Sequence, residues 1–108
     1  MTYCKFSDIP PEVLKKYHFQ HAPGTLSTVI DGESVIMDLQ SGTYSSFNPV
    51  GSLIWKEIQN KKDFFTILES ILECFEVDRA IAHQELTDFL DLLSSKSLIT
   101  VTNINDLT

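Results

Sequence analysis

Cysteine is scarce in this 108-residue chain, with only Cys4 and Cys74 and a long stretch of sequence between them. Met1 to Lys16 offers no apolar core behind a basic start, so no secretory signal is expected there. Two reduced thiols are therefore expected rather than a disulfide, with Cys74 a small, partly buried side chain in a helical pattern. Long hydrophobic runs are missing too, which excludes a membrane-spanning helix and leaves the cytoplasm as the expected location.

Positive charge is also in short supply. Eight Lys and Arg against fifteen Asp and Glu give a formal net charge of −7, a surface that repels phosphate backbones and anionic lipid and favours neutral or basic partners. Neither nucleic acid nor membrane is an expected partner. The densest basic groups, Lys15, Lys16 and His18, and then Lys56, Lys61 and Lys62, are too sparse to reverse that reading.

Catalytic signatures are absent as well. Gly24, Gly32, Gly42 and Gly51 are each accounted for by a turn or a helix start, and none belongs to a phosphate-binding loop. No serine sits in a nucleophile elbow, and no Cys and His pair has supporting context. His18 and His21, three apart, suit one face of a helix but lack a third ligand, so they are expected to be exposed, and His83 is expected at the surface or its boundary. The chain reads as a non-enzyme with no metal and no cofactor.

What remains is an ordinary globular composition, 43% apolar and 21% charged, enough for one modest core. Met1 to Pro23 reads as an N-terminal extension, with a helical turn opened by Pro10 and Pro11 and running through Glu12 to Tyr17, and weak docking through Val13, Leu14, Tyr17 and Phe19. From Thr25 the pattern alternates, and Asp31-Gly32 is a strong hairpin signal because both central positions of a type I′ turn need positive φ. Ser34 to Leu39 is the return strand, Gln40 to Thr43 a second turn, and Tyr44 to Phe47 a third strand.

Asn48-Pro49 ends that strand and starts a helix to about Asn60, with Asn as the cap and Pro at the first helical position. Asp63 is expected to cap a second helix rich in apolar residues, and Asp78 a third reaching Ser95. Leu98, Ile99 and Val101 suit a last short strand, and 102–108 reads as a tail. The fold expected over 24–101 is α+β and winged helix-turn-helix-like, a three-stranded antiparallel meander followed by three helices.

Two features of this layout suggest a peptide site. The third helix, projected at 100° per residue, centres its apolar face on Ala82, Leu86, Phe89 and Leu93, with Ile81 and Leu92 at one edge and Leu90 at the other. That arc is wider than a core contact needs, and Glu85 and Asp88 lie among the spare edge as an acid-lined apolar strip. The third strand, Tyr44 to Phe47, is last in the meander, unblunted by Pro or charge, and open to strand addition.

The ordered set Asp38-Leu39, Gly42, Tyr44, Asn48, Gly51, Ile54-Trp55 and Val77-Asp78, followed by the long third helix, resembles the PqqD family, also called RiPP recognition elements. The resemblance covers about Thr25 to Ile99. It implies a non-catalytic module that binds the leader of a ribosomally made precursor peptide and presents it to a maturation enzyme. Tyr44, Ser45, Ser46 and Phe47 would then supply the strand, and Glu85, Asp88, Phe89 and Leu92 the helical side.

Within the family the chain looks most like the freestanding leader-binding proteins of lasso peptide synthesis, whose partner is a leader protease. The alternative is a chaperone for a radical SAM enzyme, as in pyrroloquinoline quinone synthesis. The chain differs from compact members in its long extension before Pro23 and in Ser45 and Ser46, where bulkier residues are common. Outside the family, a winged-helix transcriptional regulator is the competing class. A monomer or a weak homodimer paired through an edge strand completes the expectations.

Overall fold

Alternation and turn chemistry build the meander first. The computed structural model describes residues 6, 9, 11–14, 17–31 and 33–103. Strand β2 (Thr25–Ile30) pairs antiparallel with β3 (Glu33–Asp38), and β3 with β4 (Thr43–Ser46). Asp31 takes a φ of 53°, as the first turn demands, while its neighbour Gly32 lies outside the described residues. In the second turn Gly42 has φ 72° and donates to the Asp38 carbonyl at 2.7 Å. The Asp38 carboxylate holds the same turn, accepting from the Gln40 N–H and the Ser41 hydroxyl.

Three helices follow in the expected order: α2 (Pro49–Gln59), α3 (Phe64–Cys74) and α4 (Arg79–Ser95). Asn48 caps α2 by accepting from the Gly51 N–H at 2.8 Å, and Asp63 caps α3 by accepting from the Thr66 N–H at 2.7 Å. Asp78 occupies the cap of α4 without a side-chain bond. Ile36 on β3 faces the helices and joins Ile54, Trp55 and Ile58 of α2, Phe64, Ile67, Leu68 and Ile71 of α3, and Ala82, Leu86, Leu90 and Leu93 of α4 in one core. Each such large side chain contributes about 1.5–3 kcal/mol by leaving water.

The chain before Pro23 is more than an extension. A short helix, α1 (Pro11–Leu14), precedes β1 (Tyr17–His21), which pairs antiparallel with β5 (Ile99–Asn103) in a second, two-stranded sheet. Leu14 and Phe19 are fully buried. The helical turn therefore stops at Leu14, and Thr102 and Asn103 belong to a strand rather than to a tail. Pro10 and residues 104–108 lie outside the described residues, as do Cys4, Lys15 and Lys16.

Two smaller expectations are also corrected. Cys74 is exposed, because it falls on the solvent side of the last turn of α3. On β1, strand alternation sends His18 and His21 to opposite faces: His18 is exposed, whereas His21 is half-buried against Trp55. Among the described residues no helix is long and apolar enough to cross a membrane.

Candidate functional site

Hydrogen-bond parity decides what β4 offers. The Phe47 N–H donates to the Ser34 carbonyl at 3.0 Å, so Thr43, Ser45 and Phe47 turn their backbone groups toward β3. Alternation then leaves the N–H and C=O of Tyr44 and Ser46 on the free edge. β4 has no strand partner on that side among the described residues. The Tyr44 side chain is 68% exposed and sits in a row with Met37 and Leu26 across the face of the sheet turned away from the helices.

Phe47 plays a different part from its neighbours. It lies just past β4, is 4% exposed, and packs edge-on against Phe89 at 4.7 Å and against Trp55 at 5.8 Å. Its side chain is a core residue that props up Phe89.

Across from the edge, α4 presents Glu85, Phe89, Leu92 and Lys96 at intervals of three and four, hence along one stripe. Glu85, Asp88 and Leu92 are exposed and Phe89 is half-buried. Ile81 extends the strip at 51% exposure, and Leu92 stands at 42%. The helix turns its buried face through Ala82, Leu86, Leu90 and Leu93. Leu90, expected at an edge, is thus central, and Phe89, expected at the centre, is half-buried beside Phe47.

Lys96 closes the lower end, its ammonium 3.3 Å from the Ser45 hydroxyl. A cleft of about 490 Å³ opens there, lined by Ile36, Asp38, Thr43, Tyr44, Ser45 and Lys96 among others. The strip is therefore bipolar, with Glu85 and Asp88 at one end and an ammonium at the other. The eight side chains expected at a peptide site divide accordingly: Tyr44, Ser45 and Ser46 line the edge, Glu85, Asp88, Phe89 and Leu92 form the strip, and Phe47 supports both from beneath.

Sequence reasoning passed over two residues. Lys96 stands at the C-terminal cap of α4, and only the fold brings it to β4. Gly51 read as a helix-start glycine, but a Cβ there would stand 2.9 Å from Phe89 Cε1 and 3.1 Å from Phe47 Cβ. Its missing side chain is what lets Phe89 lie down between strip and core. No group of three or more His, Cys, Asp or Glu among the described residues could hold a metal ion.

The family of coenzyme PQQ synthesis protein D (PqqD) matches residues 33–99, which span β3 to the start of β5. The chain belongs to the PqqD family. Among solved structures, TbiB1 in complex with the TbiA(beta) leader peptide is 35% identical, with a TM-score of 0.71 over 74% of this chain and 93% of that one. Lasso peptide synthetase B1 complexed with the leader peptide is 20% identical, with a TM-score of 0.71 over 76% and 96%, and shares the fold. No curated protein matches the sequence significantly.

Proposed function

We propose that this PqqD-family chain binds the leader segment of a ribosomally synthesised precursor peptide by adding it as a strand to β4, and presents it to a maturation enzyme. The observation that carries the reading is the pairing of an open edge, Tyr44 to Ser46, with the spare apolar strip of α4. An extended ligand gains backbone bonds at the first and side-chain pockets at the second. Support comes from the 35% identical relative, whose structure holds a leader peptide.

Within that reading we place the chain in a lasso peptide pathway, with a leader protease as the partner, rather than beside a radical SAM enzyme; the structure that shares its fold and is named for lasso peptide synthesis is the lasso peptide synthetase B1 complex. The chain contributes no chemistry of its own and works in the cytoplasm. A DNA-reading role is disfavoured by charge: the exposed strip of α4 carries Glu85 and Asp88 where a recognition helix needs Arg and Lys. The bipolar strip suits a leader with an apolar centre, a basic residue near Glu85 and Asp88, and an acceptor or acid near Lys96.

The test uses a labelled synthetic peptide copying the N-terminal segment of the precursor encoded beside this chain, with fluorescence anisotropy as the readout. Wild-type affinity is expected on the order of micromolar, because a disordered peptide loses entropy on ordering. Ser46→Pro deletes an N–H on the free edge, where proline is tolerated, and should weaken binding at least about tenfold, the loss of roughly one charge-free backbone bond and its register. Unchanged binding by a folded Ser46→Pro protein would refute strand addition at β4.

A further inference from the structure

The charges beside the β4 edge are ordered, and the order can be read against the strand. Helix α4 runs antiparallel to β4: Phe89 packs on Phe47, just past the end of the strand, whereas Lys96, farther along the helix, reaches Ser45 within it. The ammonium therefore lies beside the body of β4, and Glu85, one helical turn before Phe89, lies beyond its end. Neither pole is neutralised internally. Among the described residues Lys96 meets the Ser45 hydroxyl and no carboxylate, and Glu85 makes no side-chain hydrogen bond or ion pair. Asp88 is engaged by contrast, accepting from the Gln84 amide at 2.7 Å. Asp38 lines the same cleft as Lys96, but its carboxylate is held by the Gln40 N–H and the Ser41 hydroxyl.

The pleat of the sheet brings a ligand side chain to each pole. Ser45 pairs with Ile36, which is buried toward the helices, so Ser45 and a residue added directly opposite it both face α4. Because Ser45 turns its N–H and C=O toward β3, that opposite residue falls in a non-hydrogen-bonded pair, where side chains stand closest. The next ligand side chain on this face lies opposite Phe47 and meets Phe89. From Glu85 to Lys96 the helix axis advances roughly 16–17 Å, a span that about five strand residues cover. Alternation of faces admits about four or six.

Resting on the reading of β4 and α4 as the leader site, we infer that Lys96 and Glu85 are specificity-determining residues that select a leader by the order and spacing of its charges. The matching segment carries an Asp or Glu opposite Ser45 and an apolar side chain two residues before it, against Phe89. A Lys or Arg stands about four or six residues before the acid, near Glu85. This order holds for a strand antiparallel to β4, the sense of both pairs already in the meander. The same segment laid parallel would set like charge against each pole, which is destabilising, so the charges fix direction as well as register. A peptide with the right apolar residues and the wrong charge order is rejected. A cation at the end of α4 also complements the helix dipole, and exchanging charges between protein and peptide separates the two roles.

The probe is the labelled peptide copying the N-terminal segment of the neighbouring precursor, together with versions in which each Asp or Glu is replaced in turn by Lys and each Lys or Arg by Glu. Fluorescence anisotropy reads affinity on the full chain at low and at physiological salt. Lys96→Met should weaken the unaltered peptide about two- to fivefold, the range of an exposed ion pair, and Lys96→Glu about tenfold. Lys96→Arg should bind normally. One acidic position, replaced by Lys, should lose affinity for the wild type and regain it with Lys96→Glu. One basic position about four or six residues before it, replaced by Glu, should be rescued in the same way by Glu85→Lys. All these differences should shrink as salt is added. If the unaltered peptide binds the wild type and fails with Ser46→Pro, yet either rescue is missing, the charge code is overturned while strand addition at β4 stands. An unaltered peptide that does not bind the wild type overturns the leader-binding reading and the charge code with it.

Discussion

The imidazole of His21 lies flat on the indole of Trp55, ring centroids 3.6 Å apart and planes 13° from parallel. Its Nε2–H donates to the Trp55 carbonyl at 2.9 Å, so one side chain of β1 both stacks on α2 and satisfies its backbone. This contact ties the two-stranded sheet to the helix that carries the core tryptophan.

A pH dependence follows. Burial holds the His21 pKa below its ordinary 6.5, and the hydrogen bond to Trp55 offsets only part of that. Above 6.5 neither folded nor unfolded chain holds a proton there, and the contribution of the neutral ring is fully present. As pH falls below 6.5 toward the lower folded value, the unfolded chain takes up the proton first and stability is lost. Urea midpoints should therefore drop more steeply between about pH 7.5 and pH 5.5 in the wild type than in His21→Phe, which keeps a stacking ring and cannot titrate. Parallel curves would show that the ring carries its proton equally well in both states.

Capping gives a second, graded expectation. Asn48 and Asp63 each accept a hydrogen bond from a first-turn N–H, whereas Asp78 makes none. Replacing Asn48 or Asp63 by Ala should cost about 1 kcal/mol. Asp78→Ala should cost roughly half of that or less, since only its charge at the start of α4 is lost. Denaturation midpoints rank the three directly, and an equal loss at Asp78 would mean that charge rather than the hydrogen bond does the stabilising.

These caps were legible because the signal is local: Asn48-Pro49 and Asp63 state their role within four residues. The meander was legible for the same reason, alternation and turn residues lying side by side from Thr25 to Ser46. β1 was not. Its burial shows a single buried apolar residue, Phe19, between exposed His18 and Gln20, and its partner Val101 is remote in sequence, so no short-range pattern could pair them. At the site, the spare edge of α4 was visible in its helical projection. The exchange of Phe89 and Leu90 was hidden, because the neighbours that flank Phe89, Phe47 and Gly51, are remote from it in sequence.

The Cβ that Gly51 lacks can be restored. Gly51→Ala gains helix propensity of about 1 kcal/mol but sets a methyl 2.9 Å from Phe89 Cε1. Overpacking of this kind costs about 1–3 kcal/mol, so the variant should be modestly destabilised. The ring must also tilt out of its place between strip and core. Leader affinity should fall with it, and a Gly51→Ala protein of undiminished stability would show that Phe89 yields freely.

The sharpest separation of groove from core compares Leu92 with Phe47. Leu92 is 42% exposed on the strip, and Phe47 is 4% exposed beneath it. Leu92→Ala keeps helix propensity and removes little buried surface, so stability should change by no more than about 1 kcal/mol. Phe47→Ala empties a site packed by Trp55 and Phe89 and should cost about 3–5 kcal/mol. Binding of the leader peptide should respond to both, but for different reasons. In Leu92→Ala the loss appears in a fully folded protein and reflects apolar contact worth on the order of 1 kcal/mol; in Phe47→Ala it follows unfolding and is recovered at lower temperature. Calorimetric titration alongside thermal melts distinguishes these outcomes, and normal leader affinity in Leu92→Ala would remove the α4 strip from the site while leaving the β4 edge in place.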